Sequence, residues 1–269
     1  NTLQPVRLPH TCKETPFHYF DESLYQMVSG YRRHLLIPAD WQGKRILLTF
    51  EGAAHDSTVF CNGKKVGEHH CGYTAFTVDL TDSVLYGQDN LLCVRLDSRE
   101  NLNVPPFGYV IDYMTYGGIY RDVRLEVKEK VSLSDIFVHT AIDFRSSPVT
   151  AQITSEITLT ESNGNVTIRQ YYMPKSTAAG QESWRLLCDV SCDKEFSLTA
   201  TITAPLLWDT EEANLYILKT QLYQDNTILD ETETTFGIRE AVFKKDGFYL
   251  NGRKLRICGL NRHQSFPYV

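Results

Sequence analysis

Apolar and polar residues alternate along most of the chain. In the stretch 123–128 every second residue is apolar and the residues between them are charged, as a strand with one buried face requires. The same alternation continues in three further runs, namely Leu92, Val94 and Leu96, then Val149, Ala151, Ile153, Ile157 and Leu159, and finally Phe196, Leu198, Ala200, Ile202 and Ala204. Because no long window holds a helical apolar period, the pattern predicts an all-β chain of antiparallel sandwiches.

Turn residues separate several of these predicted strands. Asn62-Gly63 and Asn251-Gly252 each stand between two strand-like runs. Both central residues of a type I′ turn need a positive φ, which asparagine and glycine adopt at the least cost. The two pairs therefore predict β-hairpins, and Asp246-Gly247 predicts a further turn just before the second one.

The spacing of the strand signals predicts three parts. Residues 1–129 hold dense strand signals, interrupted by an irregular stretch at 97–118. Residues 130–237 hold about seven strand-length segments, which is the number expected of an immunoglobulin-like sandwich. Residues 238–269 number only 32, too few to bury a core of their own. We therefore expect this last part to begin a third domain whose body lies outside the sequence.

Charge and composition argue against two classes of partner. The 269 residues carry 27 Lys+Arg and 33 Asp+Glu, for a formal net charge of −6. Such a chain lacks the positive surface of a protein that binds nucleic acid or anionic membranes. No apolar run approaches the roughly 20 residues that span a bilayer. We therefore expect no nucleic-acid partner and no membrane partner.

Cysteines and chain ends give expectations about compartment and completeness. The seven cysteines are an odd, scattered set, which favours reduced thiols over a disulfide framework. Since the first residues also lack signal-peptide features, we expect a cytoplasmic protein. The chain begins with asparagine and stops within the phrase 266–269, so we expect a piece of a longer polypeptide.

Five scattered histidines have no metal-ligand spacing, namely His10, His18, His34, His55 and His139.

Four phrases stand in a recognisable order along the chain. The first phrase is Trp41-Gln42-Gly43-Lys44-Arg45, together with Phe50-Glu51-Gly52 and the stretch 61–67, and the second is Gly117-Gly118-Ile119-Tyr120-Arg121-Asp122-Val123. The third is Pro205-Leu206-Leu207-Trp208, together with Leu215-Tyr216 and Phe236-Gly237-Ile238-Arg239. The fourth runs from Phe248 through Gly259-Leu260-Asn261-Arg262-His263 and includes Pro267. In this order they resemble glycoside hydrolase family 2, which contains β-galactosidases, β-glucuronidases and their relatives. The resemblance implies an N-terminal jelly-roll sugar-binding sandwich, then an immunoglobulin-like sandwich, and a short stub that leads into an absent (β/α)₈ barrel.

The resemblance also implies an enzyme whose catalytic groups lie elsewhere. Retaining glycosidases hold two carboxylates about 5–5.5 Å apart, and in a barrel these stand at the strand ends. Both catalytic glutamates would therefore lie beyond Val269, and this fragment alone is expected to be inactive. The phrase 259–263 favours a β-galactosidase that hydrolyses terminal non-reducing β-D-galactose. The stretch 72–76 also resembles β-glucuronidases, so that enzyme or another family 2 exo-glycosidase is the alternative.

Asp112 is the leading candidate for a substrate contact. It stands six residues before Gly118, where the family places an aspartate that reaches from the jelly roll into the active site. A carboxylate accepts two hydrogen bonds from sugar hydroxyls at once, and in β-galactosidases the matching residue can also ligate sodium. The alternative for Asp112 is a loop aspartate that caps its own turn.

Three residues of the last phrase complete the predicted substrate site. His263 matches a family histidine that contacts the sugar ring, although a lone histidine packed at a strand end is the alternative. Arg262 is expected to support the pocket, and Asn261 is a substrate-binding candidate without a defined role. We expect no cofactor in this fragment. For the full-length enzyme the resemblance implies magnesium and sodium ions, a β-linked glycoside substrate and a homo-oligomer.

A second class of function stays open at this point. Two β-sandwiches could also form a non-catalytic carbohydrate-binding or adhesion protein, because sandwich folds carry many functions. The next few hundred residues of the gene would separate the two classes. A barrel pattern with an Asn-Glu pair favours the enzyme, and a stop codon or another sandwich favours the binding protein.

Overall fold

The computed structural model of the chain describes residues 3–14, 21–105, 115–161, 166–175, 184–192 and 195–261. These residues form 17 β-strands and two short 3₁₀ turns, with no α-helix among them. The predicted all-β fold is therefore confirmed. In these ranges no helix is both long and apolar enough to cross a membrane. The chain divides into two compact units that separate after Lys128.

Seven strands build the first unit as two facing sheets. Their bounds are β1 Val28–Ile37, β2 Arg45–Phe50, β3 Asp56–Cys61, β4 Lys64–His70, β5 Phe76–Asp79, β6 Gln88–Asp97 and β7 Val123–Lys128, and the 3₁₀ turns span Glu22–Tyr25 and Ala39–Trp41. One sheet has the strand order β1-β6-β3-β4 and the other the order β5-β2-β7, and all neighbours are antiparallel. Apolar residues of both sheets form one core, which includes Leu48, Phe50, Val59 and Leu96.

The register of β6 defines the two ends of this first sandwich. At one end, called here the Asp97 end, Asp97 pairs with Val28 of β1 and with Asp56 of β3. At the other end, called here the Asn62 end, β3 turns into β4 through Asn62 and Gly63, whose φ angles are 51° and 81°. The first predicted hairpin is therefore confirmed.

A buried asparagine closes the Asn62 end. Asn90 is only 1% exposed. Its Nδ2 donates to the carbonyl oxygens of Leu85 at 2.9 Å and Gln88 at 3.0 Å. Its Oδ1 accepts from the Leu85 amide at 2.7 Å and from Asn62 Nδ2 at 2.7 Å. The connection into β6 is therefore fixed mainly by residues that are close in sequence.

The second unit runs from Glu129 to Leu260 and begins with a seven-stranded sandwich. Its strands are β8 Leu133–Asp143, β9 Thr150–Leu159, β10 Val166–Pro174, β11 Arg185–Cys192, β12 Glu195–Thr203, β13 Tyr216–Gln224 and β14 Thr227–Phe236. They form a three-stranded sheet of order β12-β9-β8 and a four-stranded sheet of order β11-β10-β13-β14. Seven antiparallel strands in two sheets match the predicted immunoglobulin-like architecture.

A small third sheet follows this sandwich. It contains β15 Ala241–Lys244, β16 Gly247–Leu250 and β17 Arg253–Leu255. The turn between β16 and β17 passes through Asn251 and Gly252 at φ angles of 49° and 76°, which confirms the second predicted hairpin. Asn251 Nδ2 also donates to the carbonyl oxygen of Trp208 at 2.9 Å. The small sheet is therefore tied to the segment that precedes β13.

A polar belt divides the core of the second sandwich. Ser155 of β9, Gln170 of β10 and Thr220 of β13 are each at most 1% exposed. Ser155 Oγ donates to Gln170 Oε1 at 2.9 Å, and Gln170 Nε2 donates to Thr220 Oγ1 at 3.0 Å. The first of these bonds joins the two sheets, and separate apolar clusters lie on either side of the belt.

The apolar run that predicted β12 ends one residue beyond the strand itself. Phe196, Leu198 and Ile202 face inward as predicted. The strand ends at Thr203, and Ala204 is exposed with a φ of 49°. The prediction that Ala204 continues the strand is therefore wrong. The chain leaves the sheet just before Pro205, a residue that has no amide hydrogen with which to extend a ladder.

Candidate functional site

One end of the first sandwich holds both ends of the segment that carries Asp112. Strand β6 ends at Asp97 and β7 begins at Val123, so residues 98–122 leave and re-enter the sandwich. Asp112 itself lies outside the described residues. The two flanks of the segment are described, and we call residues 98–105 the first root and residues 115–122 the second root.

A carboxylate held by two arginines precedes the first root. Arg99 donates to Asp97 through Nε at 2.8 Å and through a terminal nitrogen at 2.6 Å, and Arg95 donates at 3.0 Å. These contacts, those of Arg99 above all, lower the pKa of Asp97 to about 2. Asp97 therefore carries its negative charge throughout the neutral and mildly acidic range.

A buried serine then fixes the start of the first root. Ser98 is 3% exposed. Its hydroxyl donates to the carbonyl oxygen of Tyr25, and its amide donates to the carbonyl oxygen of Met27 at 3.0 Å. The segment therefore leaves the sandwich in a defined direction.

The second root packs its backbone against the N-terminal segment. The amide of Cys12 donates to the Gly117 carbonyl at 2.8 Å, and the amide of His10 donates to the Ile119 carbonyl at 2.7 Å. Gly118 between them has a φ of 123°. A Cβ atom at Gly118 would lie 2.6 Å from the His10 carbonyl oxygen and 2.9 Å from the Cys12 nitrogen. Gly118 is therefore required by close backbone contact, whereas a Cβ at Gly117 would meet side-chain atoms of Cys12 and Ser98, each at 2.7 Å.

Aromatic residues of the second root pack within the first unit. The ring of Tyr116 meets that of Tyr25 edge to face, with 5.7 Å between centroids. The Tyr120 hydroxyl donates to the carbonyl oxygen of Gly72, and burial raises the pKa of Tyr120. Both side chains hold the root in place. Three others, Phe107, Tyr109 and Tyr113, lie outside the described residues.

The dipeptide Ala54-His55 contacts the second root and also Asp97, which immediately precedes the first root. Ala54 and Gly118 exchange backbone hydrogen bonds of 2.9 Å and 3.3 Å. The next residue, His55, donates its amide to the Asp97 carbonyl at 3.2 Å. The two positions at which the 98–122 segment joins the sandwich are therefore connected through one pair of residues.

The imidazole of His55 is buried among these contacts. Its residue is 7% exposed, and its Nε2 has no hydrogen-bond partner in the part of the chain that the structure describes. Burial lowers the pKa of His55, although the charge of Asp97 acts in the opposite direction. The ring is therefore neutral at neutral pH. The burial of His55 is not evident from the sequence, because a buried histidine at a strand junction has no sequence signature.

The remaining predicted site residues are only partly described. Asn261 is exposed. Arg262 and His263, like Asp112, lie outside the described residues. Within the ranges that are described, no group of three or more His, Cys, Asp or Glu side chains is arranged to hold a metal ion. The expected sodium ligand is Asp112, which is not among the described residues, so this finding does not test that expectation.

Replacing Gly118 with alanine is expected to destabilise the first unit by about 3 kcal/mol, because the new Cβ meets backbone atoms in a strained conformation. The measurement is urea unfolding of the 269-residue chain. Gly63→Ala is the matched control, since Gly63 also has a positive φ but has no atom within 4 Å of the new Cβ. It should cost only about 1 kcal/mol. Equal losses for the two variants would show that the second root can move away from the N-terminal segment.

Two family models match consecutive parts of the chain. The one described as "Glycosyl hydrolases family 2, sugar binding domain" matches residues 14–129. The one described as "Glycosyl hydrolases family 2" matches residues 131–239. The first range contains both roots of the 98–122 segment, and the second contains the seven strands β8 to β14.

Several curated proteins are similar over almost the whole chain. A β-galactosidase of Thermoanaerobacter pseudethanolicus is 37% identical over 274 residues, and one of Thermoanaerobacterium thermosulfurigenes is 38% identical over 273; both alignments cover 100% of this chain. A β-glucuronidase of Bacteroides fragilis is 30% identical over 96% of the chain. The chain spans 36%, 38% and 38% of the lengths of these three proteins.

Solved structures share the same architecture. A β-glucuronidase of Bacteroides uniformis matches with a TM-score of 0.76 and 28% identity, over 97% of this chain and 32% of that one. A protein described as a putative β-galactosidase from Bacteroides fragilis matches with a TM-score of 0.74 and 27% identity, over 95% of this chain and 39% of that one.

Proposed function

Because the chain belongs to family 2 of the glycosyl hydrolases, we propose that it is the N-terminal part of a retaining β-galactosidase. The substrate would be a terminal non-reducing β-D-galactoside. The observation that carries this choice is the pair of β-galactosidases at 37% and 38% identity, against 30% for the β-glucuronidase of Bacteroides fragilis. The phrase 259–263 supports the same choice.

In this proposal the chain supplies substrate contacts and no catalytic carboxylate. The domains are a jelly roll at 1–129, an immunoglobulin-like sandwich at 130–237 and the first part of a (β/α)₈ barrel at 238–269. The acid/base and nucleophile glutamates belong to the barrel beyond Val269, at the strand ends where such enzymes place them. In this proposal the 269-residue chain alone therefore lacks the two carboxyl groups that would attack and protonate the glycosidic bond.

Asp112 has the central role among the residues of this chain. Its carboxylate would accept hydrogen bonds from two sugar hydroxyls and so fix the sugar ring relative to the glutamates. His263, with one donor and one acceptor in its neutral form, would contact a further hydroxyl. Arg262 and Asn261 would support that contact. The hydrogen bonds of the two described roots support this role, because they define where the segment that carries Asp112 leaves and re-enters the sandwich.

β-Glucuronidase is the second candidate function. It is favoured by the 30% identical relative from Bacteroides fragilis and by the similar fold of the Bacteroides uniformis enzyme. A β-glucuronide differs from a β-galactoside in the configuration at C4 and in carrying a carboxylate at C6 in place of a hydroxymethyl group, and a positive group in the pocket would recognise the carboxylate. The two candidates therefore differ in the sugar and share the reaction type.

A panel of chromogenic β-galactoside, β-glucuronide, β-mannoside and β-glucosaminide substrates tests the proposal. We expect the full-length protein to hydrolyse the β-galactoside fastest and the 269-residue chain to hydrolyse none. Preference for the glucuronide would replace the first candidate with the second. Turnover by the 269-residue chain would contradict the location of the catalytic glutamates. If neither protein cleaves any substrate and the chain binds glycans tightly, the non-catalytic carbohydrate-binding alternative takes the place of both.

A further inference from the structure

The first sandwich is open along the side where its edge strands β1 and β7 face each other. Each of the two strands ends its own sheet, and they do not pair with one another. The N-terminal segment, residues 3–12, lies across this side. Besides its backbone bonds to the second root, it contacts β1 through His10 Nδ1, which lies 2.9 Å from the Tyr31 hydroxyl. The segment therefore covers the open side without closing it as a paired strand would.

A cavity of about 1240 Å³ remains between the N-terminal segment and the sandwich. Its floor is the apolar core, and it includes the buried side chains of Leu48, Phe50 and Val94. Its walls include Leu35 of β1 and Leu125 of β7, which pack against the core and yet are only half-buried. Small-molecule sites in proteins occupy roughly 300–1,000 Å³ and are mostly apolar. The cavity is therefore large enough for a ligand that buries these exposed apolar surfaces.

The rim of this cavity is positively charged. Arg7 of the N-terminal segment lines it, as do Arg32 and Arg33 of β1. Asp122 is the only acidic side chain among its lining residues. Within the part of the chain that the structure describes, none of the three arginines forms an ion pair, whereas Arg45 of β2 lies 3.0 Å from Asp79. The rim therefore holds guanidinium groups that are free to bind an anion.

An apolar interior beneath an unpaired positive rim favours one class of ligand. An amphipathic anion would bury its chain against the floor and offer its charge to the arginines, which bind carboxylates through paired N–H groups. A sugar fits less well, because its hydroxyls need several polar partners and the floor is apolar. The N-terminal segment also precedes residues 14–129, the range that the sugar-binding domain model matches.

We propose that the cavity under the N-terminal segment binds a free single-chain carboxylate of the fatty-acid class. The chain lies against Leu48 and Phe50, and the carboxylate lies at the rim with Arg7 and Arg33. The proposal does not rest on the proposed function, because every residue that forms this site lies within the first sandwich and its N-terminal segment. Its test therefore measures binding and not hydrolysis.

The first test compares an anionic ligand with a neutral one on the full-length protein by isothermal titration calorimetry. Decanoate, kept below its micelle concentration, should bind at least fivefold more tightly than decanol, which has the same chain and no charge. Octanoate should bind more weakly than decanoate by roughly two- to fourfold for each methylene removed. Equal affinities for decanoate and decanol would overturn the role of the rim. Failure to bind decanoate would overturn the proposal, and it is the result expected if another part of the longer protein fills the cavity.

Two rim variants test the arginines. Arg7→Gln and Arg33→Gln should each weaken the binding of decanoate by about three- to fivefold, since one charge-assisted contact is lost from an exposed position. Each should change decanol binding by less than twofold. Arg145→Gln is the matched control, because Arg145 is an exposed arginine of the second unit and forms no ion pair among the described residues. Decanoate binding that is unchanged in both rim variants would contradict the position of the carboxylate.

Two wall variants test the position of the chain. Leu35→Trp and Leu125→Trp each place a larger side chain in the cavity, from opposite sheets, and each should weaken decanoate and decanol at least tenfold. Because the added volume enters open space, Tm without ligand should stay within a few degrees of wild type. Decanoate should raise Tm of the wild type and not of these variants. Undiminished binding in either folded variant would show that the ligand lies elsewhere and would overturn the proposal.

Discussion

Replacing Asp112 with alanine in the full-length protein is expected to lower kcat/KM on the preferred glycoside by about 10²–10³-fold. Two charge-assisted hydrogen bonds to sugar hydroxyls would be lost, together about 3–4 kcal/mol, and each 1.36 kcal/mol corresponds to tenfold in rate. Tm should stay within a few degrees of wild type, because the residue is assigned to the substrate and not to the core. Steady-state kinetics and thermal unfolding measure the two quantities.

Two comparisons make this prediction specific to the carboxylate. Asp112→Asn keeps one acceptor oxygen and should fall between wild type and Asp112→Ala. Asp135→Ala removes an exposed carboxylate of β8 in the second unit and should leave kcat/KM unchanged. Wild-type kinetics of Asp112→Ala would favour the alternative of a loop aspartate that caps its own turn. A large fall in Tm would also assign the residue to the fold.

Gln170→Ala is expected to reduce the free energy of unfolding by about 3–4 kcal/mol, the largest stability effect that we predict. The substitution leaves the buried hydroxyls of Ser155 and Thr220 without their amide partner and opens a cavity between the two apolar clusters. An orphaned buried polar group costs about 1–3 kcal/mol, and a cavity adds to that cost. Urea unfolding of the 269-residue chain, monitored by tryptophan fluorescence, measures the loss.

Gln170→Met separates the two causes. Methionine fills nearly the same volume without replacing the hydrogen bonds, so a loss of about 2 kcal/mol is expected. Thr199→Ala removes an exposed hydroxyl pair with Thr154, 3.2 Å apart, and should cost less than about 0.5 kcal/mol. A loss below 1 kcal/mol for Gln170→Ala would show that the two hydroxyls find other partners in the core.

The sandwich architecture could be predicted because its signals are local. Alternation in β9 predicted that Ala151, Ile153, Ile157 and Leu159 face inward, and all four are buried. The same run omitted Ser155, which also faces inward and is fully buried. Its partner Gln170 comes from another strand and another sheet. A polar residue at an inward position can be recognised as part of a core only when its partners are known, and these partners are distant in sequence.

Residues of the candidate site could be predicted only where they lie in sequence phrases that resemble the family. The glycines of the phrase 117–120 were recognised by resemblance, and the structure supplies a physical reason for each: a Cβ at Gly118 would meet backbone atoms of His10 and Cys12, and one at Gly117 would meet the side chains of Cys12 and Ser98. The role of Asp112 stays a prediction. The burial of His55 could not be found from sequence, because its backbone bond to Asp97 and its packing beside Gly72 leave no spacing pattern.

The two ends of the first sandwich differ in how far apart in sequence their contacts are. Asn90 bonds mainly to residues two and five positions away, and also to Asn62 and Leu35, which are 28 and 55 positions away. At the Asp97 end, Cys12 bonds to Gly117 and His10 bonds to Ile119, pairs roughly 100 residues apart whose closure costs more chain entropy. The sandwich is therefore expected to fold from the Asn62 end towards the Asp97 end. The bonds that hold the 98–122 segment would form last and open first, so on heating the full-length protein should lose the proposed activity before it loses its sheets.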